Sequence, residues 1–155
     1  MIELVVLAIA VAAAAGVGIL VRRNEGRVRT VAEGTTTDGA DPSGPRTELL
    51  AAVGLAANRP AVLHFSADWC GPCAAVRRVV AAVVTEFADA PAAPLDIEVD
   101  IDADPALAKE LSVLSLPTTF VFDTAGRERF RISGVPKAAD LRTALAPLTR
   151  PNAAE

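Results

Sequence analysis

The 155-residue chain is poor in sulfur and in aromatic rings. It has two cysteines, one methionine, one tryptophan, five phenylalanines, a single histidine and no tyrosine. Each shortage excludes something. Two cysteines cannot make a disulfide framework. A zinc site wants about four ligands, and only His64 and Asp68 lie near the cysteines, so no metal is expected. Fifteen Lys and Arg against nineteen Asp and Glu leave a net charge of −4. No basic block interleaves with aromatics, so nucleic acid is not an expected partner. There is no glycine-rich dinucleotide fingerprint, and no cofactor beyond the cysteines themselves is expected. With so few rings, the core has to be built from Val, Leu, Ile and Ala. No internal repeat is visible.

What is there centres on Trp69-Cys70-Gly71-Pro72-Cys73, which holds both cysteines. An apolar, strand-like run over 61–65 leads into it and a helical run over 74–87 leads out. This strand–Cys-x-x-Cys–helix order places both sulfurs on the first turn of the helix. There, unpaired backbone N–H groups and the positive end of the helix dipole stabilise an anion, and the thiolate is the nucleophile of disulfide exchange. A purely structural bridge closing so short a loop would constrain little of the unfolded chain. A redox-active dithiol/disulfide site is the reading adopted.

Residues 4–21 form an unbroken run of apolar residues and glycine, 18 long. As a helix this spans roughly 27 Å, close to the ~30 Å hydrocarbon core of a bilayer. A cleaved signal peptide would want positive charge before the run and small residues after it. Here no Lys or Arg precedes it, and it exits through Ile-Leu-Val-Arg-Arg. An uncleaved transmembrane anchor is therefore expected over 1–23, in preference to a signal peptide or a buried core helix. Arg22, Arg23, Arg27 and Arg29 follow the span, and positive flanks prefer the cytoplasm. That predicts a single-pass protein of the cell membrane with its C-terminal domain facing the cytoplasm. Residues 24–45, rich in Gly, Pro, Thr and Asp, read as a flexible linker with a reach of roughly 25 Å.

The remainder, 46–150, reads as one mixed α/β domain, with 151–155 a tail. Helical spacing of Leu49, Leu50, Val53 and Ala57 predicts a helix over 46–58. The run 61–65 alternates little, which predicts a strand buried on both faces. Residues 95–101 alternate and read as a strand, 106–111 as a short helix behind Pro105, and 116–122 as a strand. Residues 123–126 read as a hairpin turn and 127–133 as an edge strand. A last helix over 137–148 carries Leu141, Leu145 and Leu148 on one face.

From about 48 to 148 the chain resembles the thioredoxin family. Trp69-Cys70-Gly71-Pro72-Cys73 matches its active-site motif, and a Cys-x-x-Cys beside a βαβ pattern is a signal of that fold. Leu116-Pro117-Thr118 is similar to its cis-proline loop. Asp102, the 123–126 turn and Gly134 also lie where the family has comparable features. There is no room between Cys73 and Pro117 for the insertion of the branch that serves cytochrome maturation. The resemblance implies a thioredoxin fold, a central mixed sheet with helices on both faces, here preceded by one transmembrane helix. It implies that Cys70 attacks a substrate disulfide and that Cys73 resolves the mixed disulfide. Trp69, Gly71, Pro72, Leu116 and Pro117 would contact the substrate, with the bond before Pro117 cis.

The chain also departs from the family. His64 stands where thioredoxins usually keep a buried aspartate. It is either a packed strand histidine with one hydrogen bond or the base for Cys73, a role imidazole can fill near neutral pH. Arg78 replaces a kinking proline, which predicts a straighter helix, and Arg77 and Arg78 read as that helix's solvated face. Ala74 and Ser66 replace the usual Lys and second Trp.

The expected function is a membrane-tethered thiol–disulfide oxidoreductase that reduces protein disulfides. Its expected partners are those disulfides, an electron-donor reductase and, through residues 4–21, the membrane; a monomer suffices. The rivals are an extracytoplasmic thiol oxidase or isomerase of exported proteins, and a non-catalytic adaptor of the same fold.

Overall fold

The computed structural model describes residues 2–24, 28–30, 44–55 and 58–150. Its elements are α1 (Ile2–Asn24), β1 (Val28–Thr30), α2 (Pro45–Ala52), β2 (Ala61–Ser66), α3 (Cys73–Glu86), β3 (Leu95–Asp100), α4 (Pro105–Glu110), β4 (Thr118–Phe122), β5 (Glu128–Ser133) and α5 (Ala138–Leu145). The five strands form one sheet in the order β1-β5-β4-β2-β3. β3 runs parallel to β2, while β4 is antiparallel to both β2 and β5.

The sheet divides two apolar layers. Leu63, Phe65, Ile97, Val99, Phe120 and Phe122 project toward α2 and α4, where they meet Leu50, Leu107 and Leu111. Val62, Val121 and Ile132 project the other way, onto Val76, Val80 and Val83 of α3 and Leu141 and Leu145 of α5. Alternation along a strand sends neighbouring side chains to opposite faces, so a strand covered on both sides must be apolar throughout. β2 is buried at every position, as its sequence predicts. Three phenylalanines anchor the α2/α4 layer. Phe120 meets Phe65 edge-on at 6.0 Å and stacks on Phe122 at 6.2 Å.

Three differences from expectation bear on the fold. α2 stops at Ala52 rather than running to 58, because Gly54 takes a positive φ of 93°, a conformation that ends helices and suits a residue without Cβ. β5 is not an edge strand: Val28, Arg29 and Thr30 pair antiparallel with Ile132, Arg131 and Phe130. Part of the segment read as linker is therefore structured. The remaining linker positions, apart from 24 and 44–45, lie outside the described residues, as does the 151–155 tail. α3 runs unbroken for 14 residues, as expected without the proline.

The backbone of α1 is helical over 23 residues. Val6, Leu7, Ile9, Val11 and Val17 are all exposed on it. Among the described residues, no helix is long and apolar enough to cross a membrane.

Phe120 is fully buried between two other rings. Phe120→Ala is expected to cost about 3–5 kcal/mol of stability, measured as a lowered urea midpoint with little change in slope.

Candidate active site

β2 ends at Ser66, and four residues later the chain reaches Cys70. The Cys70 backbone N–H donates to the Ala67 carbonyl at 3.0 Å, and the Cys73 N–H donates to the Cys70 carbonyl at 3.2 Å. These two bonds wind the motif into a tight turn on the end of the central strand. α3 starts at Cys73, with Pro72 as its N-cap. Only Cys73 is thus in the first helical turn, and Cys70 sits just ahead of the helix N-terminus rather than within it. The positive end of the helix dipole still faces Cys70, where a thiolate gains from it.

Cys70 and Cys73 are joined as a disulfide with their Cα atoms 5.5 Å apart. The two sulfurs are not equivalent. Cys73 is 1 % exposed, and its Sγ lies 3.9 Å from the Phe65 carbonyl oxygen. Cys70 is half-buried, with exposed Gly71 and Pro72 beside it. A substrate can therefore reach Cys70 and not Cys73.

Pairing between strands brings the other predicted residues to the same end of the sheet. Phe65 lies opposite Thr118, so Leu116 and Pro117 stand beside the end of β2. The Leu116–Pro117 bond is cis, and the Pro117 carbonyl accepts the Gly134 N–H at 2.8 Å. Trp69 is 71 % exposed. Its indole Nε1–H donates to Asp102 Oδ2 at 3.0 Å, which ties the loop after β3 to the motif. Among the described residues, no group of three or more His, Cys, Asp or Glu could hold a metal ion.

A model of the thioredoxin family matches residues 49–147. The chain belongs to the thioredoxin family. A thioredoxin from Mycolicibacterium smegmatis is 35% identical over 88 residues, which cover 57% of this chain and 78% of that one. A bifunctional thioredoxin reductase/thioredoxin from Mycobacterium leprae (strain TN) is 39% identical over 90 residues, covering 57% of this chain and 19% of that protein. Among solved structures, Fasciola hepatica thioredoxin superposes with a TM-score of 0.51 at 28% identity, covering 66% of this chain and 89% of that one. The chain is accordingly a thioredoxin-type disulfide oxidoreductase with Cys70 and Cys73 as its redox pair. Thioredoxins, the family to which the chain belongs, act on protein disulfides and are reduced by a reductase.

Beneath the disulfide lies a polar layer that the sequence reading only half foresaw. His64 is 2 % exposed. It follows Val62 in the alternation of β2 and so points to the α3 side. Its Nε2 is 3.2 Å from Asp96 Oδ1. Thr119 stands directly opposite His64 in the β2–β4 register, and its buried hydroxyl has no partner. Arg77 and Arg78 are exposed, as expected of a solvated face, and Arg77 in addition grips Glu98 of β3 with its Nε at 2.6 and 2.8 Å from the two carboxylate oxygens. Asp96 and Glu98 could have been found from sequence. They are the acidic half of the alternation along β3, which places both on the α3 side.

Burial pushes the Glu98 carboxyl up. Hydrogen bonds to Ser66 and Arg77, with the charges of Arg77 and His64, outweigh that and hold it below its ordinary value of 4.5. A carboxyl depressed in the folded state stabilises the fold fully above the ordinary value and ceases to do so as pH falls through the depressed one. The Arg77 and Glu98 side chains are 49% and 34% exposed, so the effect is discounted to about 0–1 kcal/mol. Glu98→Gln is expected to lower the Tm slightly at neutral pH, with the difference from wild type closing well below pH 4.5.

Proposed function

We propose that this protein is a membrane-tethered reductase of protein disulfides, working by dithiol exchange. The observation that carries the direction of attack is the contrast between half-buried Cys70 and sealed Cys73. In the reduced protein the Cys70 thiolate attacks one sulfur of a substrate disulfide. A mixed disulfide forms, and the first substrate sulfur leaves as a thiolate. Cys73 then loses its proton and attacks Cys70 Sγ, closing the Cys70–Cys73 disulfide and releasing the second substrate sulfur. Two electrons pass to the substrate, and its two thiolates are neutralised by the proton that Cys73 gives up and by one drawn from solvent. A thioredoxin reductase, the activity named together with thioredoxin in the M. leprae relative, restores the dithiol.

Trp69, Gly71, Pro72, Leu116 and Pro117 form the surface on which the substrate chain lies. Gly71 and Pro72 are exposed at the sulfurs, and Trp69 offers an apolar wall. His64 takes the proton from Cys73. Two features support this: it is the only ionisable residue on β2, and Asp96 holds its ring on the α3 side.

The tether is the apolar run of 4–21. Its support is the length of the run, the helical backbone and the exposed apolar side chains. The arginines that follow it favour a domain facing the cytoplasm, where thiol reductants are supplied. An outward-facing oxidase would share the same cysteines.

With the full chain in detergent, Cys70→Ser is expected to abolish insulin reduction, and Cys73→Ser to accumulate a mixed disulfide. Retained turnover by Cys70→Ser would sink the mechanism. In intact, pre-reduced cells, labelling of Cys70 by a membrane-permeant maleimide alone is expected; labelling by an impermeant one would reverse the orientation. His64→Ala is expected to slow resolution by Cys73 by up to about 100-fold at neutral pH. The deficit should shrink as rising pH ionises the thiol unaided, and a pH-independent deficit would count against a proton role.

A further inference from the structure

With α1 taken as the anchor, the path of the chain into the sheet bears on which end of the domain lies nearer the membrane. β1 covers the outer side of β5, with Val28 opposite Ile132 and Thr30 opposite Phe130. Ile132 pairs with Thr119, Ser133 with Thr118, and Thr118 with Phe65 at the end of β2. Val28 therefore lies at the end of the sheet that carries Trp69 and the disulfide, and the chain travels from there toward the opposite end. α1 ends at Asn24. Between Asn24 and Val28 there are only four Cα–Cα steps, a span of at most about 14 Å. Across the sheet, β1 stands three strand spacings from β2, again about 14 Å. The segment 31–43, read from sequence as part of the tether, comes after β1. It joins β1 to α2 and adds no reach between α1 and the sheet.

A second observation points the same way. Outside α1, the exposed large hydrophobic residues among those described are Trp69 and Leu114, the latter 94 % exposed. Leu114 lies three residues before Pro117, so both are at this end. Tryptophan is enriched where membrane meets water. Asp68, Asp102 and Asp104 share this end and are exposed. Their charge disfavours deep insertion of this end among anionic headgroups.

We infer that β1 holds the Cys70–Cys73 site facing the bilayer at short range, and that its substrates are disulfides of membrane-bound proteins lying within about 30 Å of the lipid surface. This rests on the proposal that α1 anchors the chain. The exchange reaction is unchanged; what the inference adds is where its substrate disulfide sits.

Trp69 provides the test, because it is the only tryptophan and there is no tyrosine. The full chain, reduced, is reconstituted into phosphatidylcholine vesicles carrying a dansyl-headgroup lipid. Energy transfer from Trp69 to dansyl is then compared with that of a variant carrying a 20-residue Gly/Ser insert between Asn24 and Glu25. Transfer is expected to be efficient in the native chain and to fall by a factor of about two or more in the variant, whose insert adds about 25 Å of reach. Unchanged insulin reduction by the variant shows that it is folded. If the native chain floats with the vesicles but transfers no better than the insert variant, the inference is overturned and the anchor stands. If the chain does not float with the vesicles, the anchor itself is wrong and the inference falls with it.

Discussion

The site depends on the burial of β2. This strand is hydrogen-bonded on both edges, to β3 and β4, and covered on both faces, so its position is fixed more tightly than that of any loop. Everything reactive sits at or just beyond its C-terminal end. Cys70 needs a helix N-terminus in front of it, and Val76, Val80 and Val83 press α3 onto the sheet so that the N-terminus stays there. Moving the strand end by one residue would turn His64 to the opposite layer and bring Phe65 to the α3 side. The chemistry thus inherits its precision from an apolar strand that takes no part in it.

Much of this was legible in the sequence. The Cys-x-x-Cys motif between a strand-like and a helix-like run located the site, because two periodicities meeting at two cysteines leave few alternatives. The apolar continuity of 61–65 foretold burial on both faces, and helices were found on both faces as expected. What was not legible depends on contacts between distant segments. Val28–Thr30 is too short to show alternation, and its flanks carry linker composition; only its partner β5 makes it a strand. The ion pair between Arg77 and Glu98 joins residues 21 apart in sequence, and nothing local to either distinguishes it from a solvated charge. Helix α2 ended early because Gly54 adopts a backbone that no apolar spacing reports.

The polar layer under α3 shows how one substitution is accommodated. A histidine on a central strand would be costly to bury alone. Here Asp96 accepts its ring N–H, and Asp96 is itself only partly covered, so the buried nitrogen is linked to a group in contact with water. Thr119, across the ladder from His64, keeps a hydroxyl with no protein partner. Such a group is satisfied most simply by an internal water.

The strand Val28–Thr30 has one more effect, on self-association. A sheet edge with free N–H and C=O groups is a template for pairing with another chain, and crowding raises that hazard. β5 would offer such an edge; β1 covers it over three residues, with Arg29 and Thr30 both exposed. At the opposite edge, β3 alternates Asp96, Glu98 and Asp100 with its core residues. A second copy approaching in register there would set like carboxylates against each other. One edge ends in a strand of only three residues that carries Arg29, and the other carries a row of carboxylates, and both features disfavour pairing between the sheets of two copies.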